Sequence, residues 1–217
     1  MEKSIELTPI QIKAKEEGTT MFIVSIDTRL KAYYILINPN STLYKDVLKR
    51  KIIQYYSPVQ IGDKDIFVKE EFLTYSNKSC LTYNPKLKLL EGIKYRRDAL
   101  DDRYDEGDYP FNLDYYWQSA SQMKKSQSRY SFEECIDVKI VRVQDIGKDI
   151  ILIKKLGITE DDAILCNGWN PSYIDPDSGG ILDWENAFIS FYNQQMKEQG
   201  INRTYEDNDY IFLLEFK

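Results

Sequence analysis

The clearest alternation of apolar and polar positions in the chain runs from Tyr130 to Ile140. Tyr130, Phe132, Ile136, Val138 and Ile140 take the even positions, and Ser131, Glu133, Asp137 and Lys139 the odd ones, which predicts a strand with one buried face. Glu134 and Cys135 break the alternation. At Ile140 and Val141 the phase slips and Val143 continues on the new side, so a bulge is expected there, or a strand covered on both faces where a sheet curls. A polar, basic approach containing Gln122, Lys124, Lys125, Ser128 and Arg129 leads into this strand.

The remaining elements follow from the same kind of pattern. Thr8-Pro9-Ile10-Gln11 has the capping-box spacing with proline in the first turn, and Gly18 supplies a stop, predicting a helix over 9–17. Apolar runs at 21–26 and 32–37 read as two strands of a hairpin. Leu43, Val47, Leu48 and Ile52 have helical spacing, with Lys49, Arg50 and Lys51 among them, as on an amphipathic helix over 43–55. A strand is expected over 65–72, with Glu70 and Glu71 at its end on opposite faces, so at most one of them enters any pocket. A strand or short helix is expected over 87–95. The apolar run 149–156 precedes Gly157, after which Thr159 is placed to cap a short helix over 160–165. Asp183 caps a helix to Gln199, whose Trp184, Phe188, Phe191, Tyr192 and Met196 form a core stripe. Residues 205–209 form a turn, and 210–216 close the chain as a strand apolar on both faces, hence central or covered. Strands and helices in irregular order predict an α+β class with a curved or barrel-like sheet.

Composition narrows the chemistry. The chain has 217 residues, of which 42% are hydrophobic, enough for one sizeable core. No run is long and apolar enough for a membrane span and no leader is seen at the N-terminus, so a cytoplasmic protein with no membrane partner is expected. A net charge of -6 argues against bulk coating of nucleic acid and leaves room only for a local basic patch. There is no histidine, which excludes histidine-activated nucleophiles, histidine general acid–base chemistry and histidine-ligated zinc. Three scattered cysteines suit neither a disulfide framework nor a metal site. Acids at Asp175, Asp177 and Asp183 suggest a calcium loop, but position twelve is Asn186 where such a loop needs glutamate, so no metal and no cofactor are expected. Residues 101–117 mix many acids with Tyr104, Tyr109, Phe111, Tyr115 and Tyr116, as a surface insertion pinned by its aromatic residues would.

Three groups of segments, in order, resemble the ASCH branch of the PUA-like superfamily, particularly its small phage and prophage proteins. They are the helix and Gly-Thr-Thr turn from Ile10 to Phe22, then Ile61-Gly62-Asp63 with Phe67-Val68-Lys69-Glu70-Glu71-Phe72, then a tract from Trp117. That tract includes Gln122-Met123-Lys124, Ser128-Arg129, the long strand, Gly157 to Ala163, the helix holding Phe188 to Asn193, and the closing strand. The resemblance implies a single PUA-like domain with the acidic insertion at about 98–117, built as a small pseudo-barrel with flanking helices and a cleft that binds RNA or modified nucleotides. Thr20, Glu70, Gln122, Lys124, Ser128 and Arg129 are its expected ligand-binding residues. Arg129 and Lys124 would hold phosphate, and Gln122 would read a base edge. An internal ion pair between Arg129 and Glu70 is the competing structural role. Some family members hydrolyse an acetyl group from a modified cytidine with a lysine and a threonine of the glycine turn and a glutamate. Thr20 and Glu70 are the candidates here, but Gly18-Thr19-Thr20-Met21-Phe22 has no lysine where that motif puts one. Binding without catalysis is therefore the leading expectation. The alternatives are an accessory or virion-associated protein that engages a host or phage protein through the acidic aromatic segment, and an amidohydrolase acting on a modified nucleobase.

Overall fold

The computed structural model describes residues 2–27, 29–38, 45–75, 92–95, 118–165 and 182–217. In chain order these form β1 (Ser4–Glu6), α1 (Pro9–Glu16), β2 (Met21–Ser25), α2 (Lys31–Ile37), α3 (Lys45–Tyr56), β3 (Lys64–Lys69), β4 (Phe72–Tyr75) and β5 (Gly92–Tyr95). They continue with β6 (Ser131–Arg142), α4 (Val143–Gly147), α5 (Ile150–Lys155), α6 (Glu160–Leu165), α7 (Trp184–Glu198) and β7 (Tyr210–Phe216). The class is α+β. Five strands make one open mixed sheet in the order β1-β3-β6-β7-β2, with β1 parallel to β3 and the other neighbours antiparallel. Strands β4 and β5 pair separately.

Strand β7 lies between β6 and β2, and its two faces enter different cores. Tyr210, Phe212, Leu214 and Phe216 join Phe22, Phe132, Val138 and Ile140, together with Tyr33 and Leu36 of α2 and Ile52 of α3. Ile211 and Leu213 join Met21, Ile23, Ile153, Phe188 and Tyr192 on the side covered by α4 to α7. A strand apolar on both faces is what such double coverage requires. Phe132 stacks on Phe216 with ring centroids 4.2 Å apart, and this pair ties the start of β6 to the end of β7.

Two helix starts form at their sequence signals: Asp183 accepts from the Asn186 amide at 3.0 Å and Thr159 from the Asp162 amide at 3.3 Å. The apolar run 149–156 also forms a helix, started by Asp149, which accepts from the Ile151 amide at 3.0 Å. At α1 the Gln11 side chain reaches back to the Thr8 amide at 3.1 Å, whereas buried Thr8 Oγ1 has no hydrogen-bond partner among the described residues.

Four expectations need correction. Residues 32–37 are not the second strand of a hairpin but lie in α2, where Tyr33 and Leu36, three apart, are buried while Tyr34, Ile35 and Ile37 are exposed. The neighbour of β2 is β7 instead. On β6 the bulge falls between Cys135 and Asp137 rather than at Ile140. One extra residue inverts the alternation there, so Cys135 is buried and Ile136 is 47% exposed. Burial pushes the Cys135 thiol up to about 11, so it is an inert core group. The strand ends at Arg142, and Val143 opens α4. Finally, 65–72 is not one strand: β3 stops at Lys69 and Phe72 begins β4.

Candidate functional site

The Ser128-Arg129-Tyr130 entrance to β6 runs beside the end of β3. Ser128 Oγ lies 2.6 Å from the Val68 carbonyl and 2.8 Å from that of Tyr130, so its one proton serves one of them at a time. Arg129 forms a two-pronged pair with Glu70, Nε to Oε1 at 2.9 Å and Nη2 to Oε2 at 3.0 Å. Glu70 is buried at 3% exposure, and the planar guanidinium satisfies both of its oxygens at once. Around this pair, Tyr130 donates to Glu16 at 2.5 Å, and Lys15 Nζ sits 4.0 Å above the Phe132 ring. Burial lowers the Lys15 pKa, and burial followed by the Glu16 contact pushes the Tyr130 hydroxyl up to about 12. Three of the expected ligand residues thus come together here. Glu70 and Arg129, however, are turned on each other, and Gln122 and Lys124 lie exposed on or beside the short turns that precede the strand.

Thr20 belongs to a different place. Helix α1 ends through Gly18 at φ +95° with the Thr19 amide donating to the Ala14 carbonyl at 2.9 Å, and Thr20 then enters β2. Against this turn packs a second one, at the end of α5, where Gly157 has φ +87°. A Cβ at Gly157 would stand 2.5 Å from Thr19 Oγ1 and 2.9 Å from the Ala14 Cβ, so the two turns approach as closely as backbone allows. Between them opens a recess of about 360 Å³ whose lining includes Glu17, Thr19, Thr20, Lys154, Lys155 and Thr159. Lys154 lies 3.4 Å from Glu160 and Lys155 3.2 Å from Glu215, and both ammonium-bearing side chains remain half exposed. Sequence reasoning missed both lysines. The available signal was a Lys-Lys pair in the last turn of a capped helix, one residue short of a glycine, where cations also offset the negative helix end.

A larger groove of about 870 Å³ is lined by parts of both outer strands of the sheet, Ser4 and Glu6 from β1 and Val24 and Ser25 from β2. At its floor Asp209 accepts from Tyr33 at 2.5 Å and from Arg203 at 2.9 and 2.8 Å. Burial, then this contact with Asp209, raises the Tyr33 pKa well above its ordinary value. No family model, curated protein or solved structure matches this chain. The likeness to ASCH proteins rests on the sequence segments alone. The acidic aromatic segment 98–117 lies outside the described residues. Among the described residues, no helix is long and apolar enough to cross a membrane.

Proposed function

We propose that this chain is a PUA-like domain that binds RNA or a nucleotide by holding phosphate in the recess beside the Gly18 turn. The observation that carries the reading is the meeting of Thr20 with Lys154 and Lys155, two ammonium groups and several hydroxyls around one opening that also includes the carboxylate of Glu17. Both lysines are half exposed, Glu160 is 66% and Glu215 24% exposed, and a solvent-exposed pair is worth at most about 1 kcal/mol, so a phosphate oxygen can take the carboxylate's place, most readily at Lys154. What supports a curled, barrel-like sheet is that its two opposite edges line one groove. The test is fluorescence anisotropy of a labelled short single-stranded RNA at low and moderate salt, wild type against a Lys154→Ala, Lys155→Ala double variant. Loss of two phosphate contacts is expected to weaken binding by about tenfold or more and to flatten its salt dependence. Unchanged binding by a folded double variant would remove the recess from consideration.

A second reading, amide hydrolysis on a modified nucleobase, is favoured by Lys15. It supplies, from the last turn of α1, the residue type missing from the glycine turn, and burial among Phe132 and Tyr130 lowers its pKa. A depressed pKa leaves the free amine present at lower pH, which is what a lysine base or nucleophile needs. Trace labelling with acetic anhydride across pH should find Lys15 becoming reactive below the range of free lysine. Titration in the ordinary range would end this reading.

A further inference from the structure

The hydrogen-bond pattern of the two outer strands decides which of their backbone groups are spare. On β1, the Lys3 carbonyl accepts from the Phe67 amide at 3.2 Å and the Leu7 amide donates to the Lys69 carbonyl at 2.9 Å. Residues 3, 5 and 7 therefore face β3, and the N–H and C=O of Ser4 and Glu6 face outward. On β2, the Phe216 amide donates to the Thr20 carbonyl at 2.9 Å, so even-numbered residues face β7 while Met21, Ile23 and Ser25 face outward. The outward Ile23 carbonyl is taken by two buried amides, Gln11 Nε2 at 2.7 Å and Gln195 Nε2 at 3.0 Å. Helices α1 and α7 thus seal the middle of this edge. Beyond the seal, no hydrogen bond among the described residues reaches the outward backbone groups of Ser4, Glu6 or Ser25, and all three residues line the 870 Å³ groove.

We propose that this groove is a docking site for an extended, basic peptide segment of a partner protein, which adds to the open edge as a strand. Unpaired strand edges are templates for such addition, with main-chain bonds giving affinity and alternate side chains giving selectivity. The sign of the partner follows from the lining. Among the described residues of the lining, Glu6, Asp27, Glu71, Glu198 and Asp209 stand with Arg29 and Arg203, five carboxylates against two guanidiniums, a balance of -3. Val24, Ile26 and Phe212 supply apolar wall for the side chains that alternate with lysine or arginine. The site is separate from the Lys154 recess and does not depend on it.

The experiment uses a fluorescent synthetic peptide alternating valine and lysine, its valine–glutamate counterpart, and a version N-methylated at alternate residues. Saturable binding of the first is expected, with the acidic and N-methylated peptides weaker by about tenfold each, the equivalent of losing about one hydrogen bond or charge contact. Proline is tolerated in a strand where its N–H faces outward. Glu6→Pro and Ser25→Pro should therefore keep the circular dichroism of the wild type while weakening the peptide by a similar factor. No saturable binding by the wild type, equal binding of the N-methylated peptide, or full binding by both folded proline variants would each overturn the proposal. Displacement of the peptide by short RNA, with Lys154→Ala, Lys155→Ala abolishing both, would also overturn it, because both ligands would then occupy the recess.

Discussion

Arg129→Ala is expected to destabilise the fold by about 3 kcal/mol, measured by urea unfolding. The side chain it removes is the bidentate partner of Glu70, whose carboxylate is 3% exposed and cannot turn to water. Removing the other partner should cost less. In Glu70→Gln the amide still accepts one guanidinium bond, and Arg129, with 23% of its side chain exposed, can reach solvent and Glu16, 4.0 Å away. A loss of about 1 kcal/mol is expected there. This asymmetry separates a structural ion pair from two groups held ready for a ligand. If Arg129→Ala costs no more than Glu70→Gln, the pair does not support the fold in this way. It also means that lost RNA binding in Arg129→Ala is informative only when the variant is shown to be folded.

Gly157→Ala should be nearly as damaging, about 3 kcal/mol, because two penalties coincide. The left-handed φ of +87° disfavours any Cβ, and the new methyl would meet Thr19 Oγ1 at 2.5 Å and the Ala14 Cβ at 2.9 Å. Gly18→Ala is the matched control. Its φ of +95° carries the backbone penalty, but nothing lies within 4 Å of the added Cβ, so about 1–2 kcal/mol is expected. The same pair of variants reports on the recess. Displacing Thr19 should weaken phosphate binding in Gly157→Ala, whereas at Gly18, which itself lines the recess, the added Cβ meets nothing within 4 Å and displaces no neighbour. Equal stability losses, or equal ligand losses, would show that the close approach of the two turns is not what shapes the site.

Much of the fold was readable wherever the deciding interaction is local. Asp183 and Thr159 cap helices within three residues, and the apolar continuity of Tyr210–Phe216 required cover on both sides. Where two periodicities compete, the sequence was ambiguous. Ala32-Tyr33-Tyr34-Ile35-Leu36-Ile37 is apolar throughout, and only the cores around Tyr33 and Leu36 select a helix. The bulge lies at Ile136 and not at Ile140 because the break in alternation at Glu134 and Cys135 marks the inserted residue.

The candidate site divides in the same way. Glu70, Ser128 and Arg129 were recognisable as a group, and their ion pair was among the roles foreseen, but which role prevails depends on contact across 59 residues of chain. Lys154 and Lys155 were not found, because nothing in their local pattern reveals that the end of α5 packs against the Gly18 turn. By itself the sequence determined the α+β class, most element boundaries, the absence of histidine chemistry and the central position of the last strand. Only the tertiary structure decided the order of strands, the partners of Glu70 and Ile23, and the meeting of Thr20 with two lysines. The reason is the range of the forces: capping and periodicity act over a few residues, whereas burial of whole faces brings distant segments together and then fixes which polar groups must find each other.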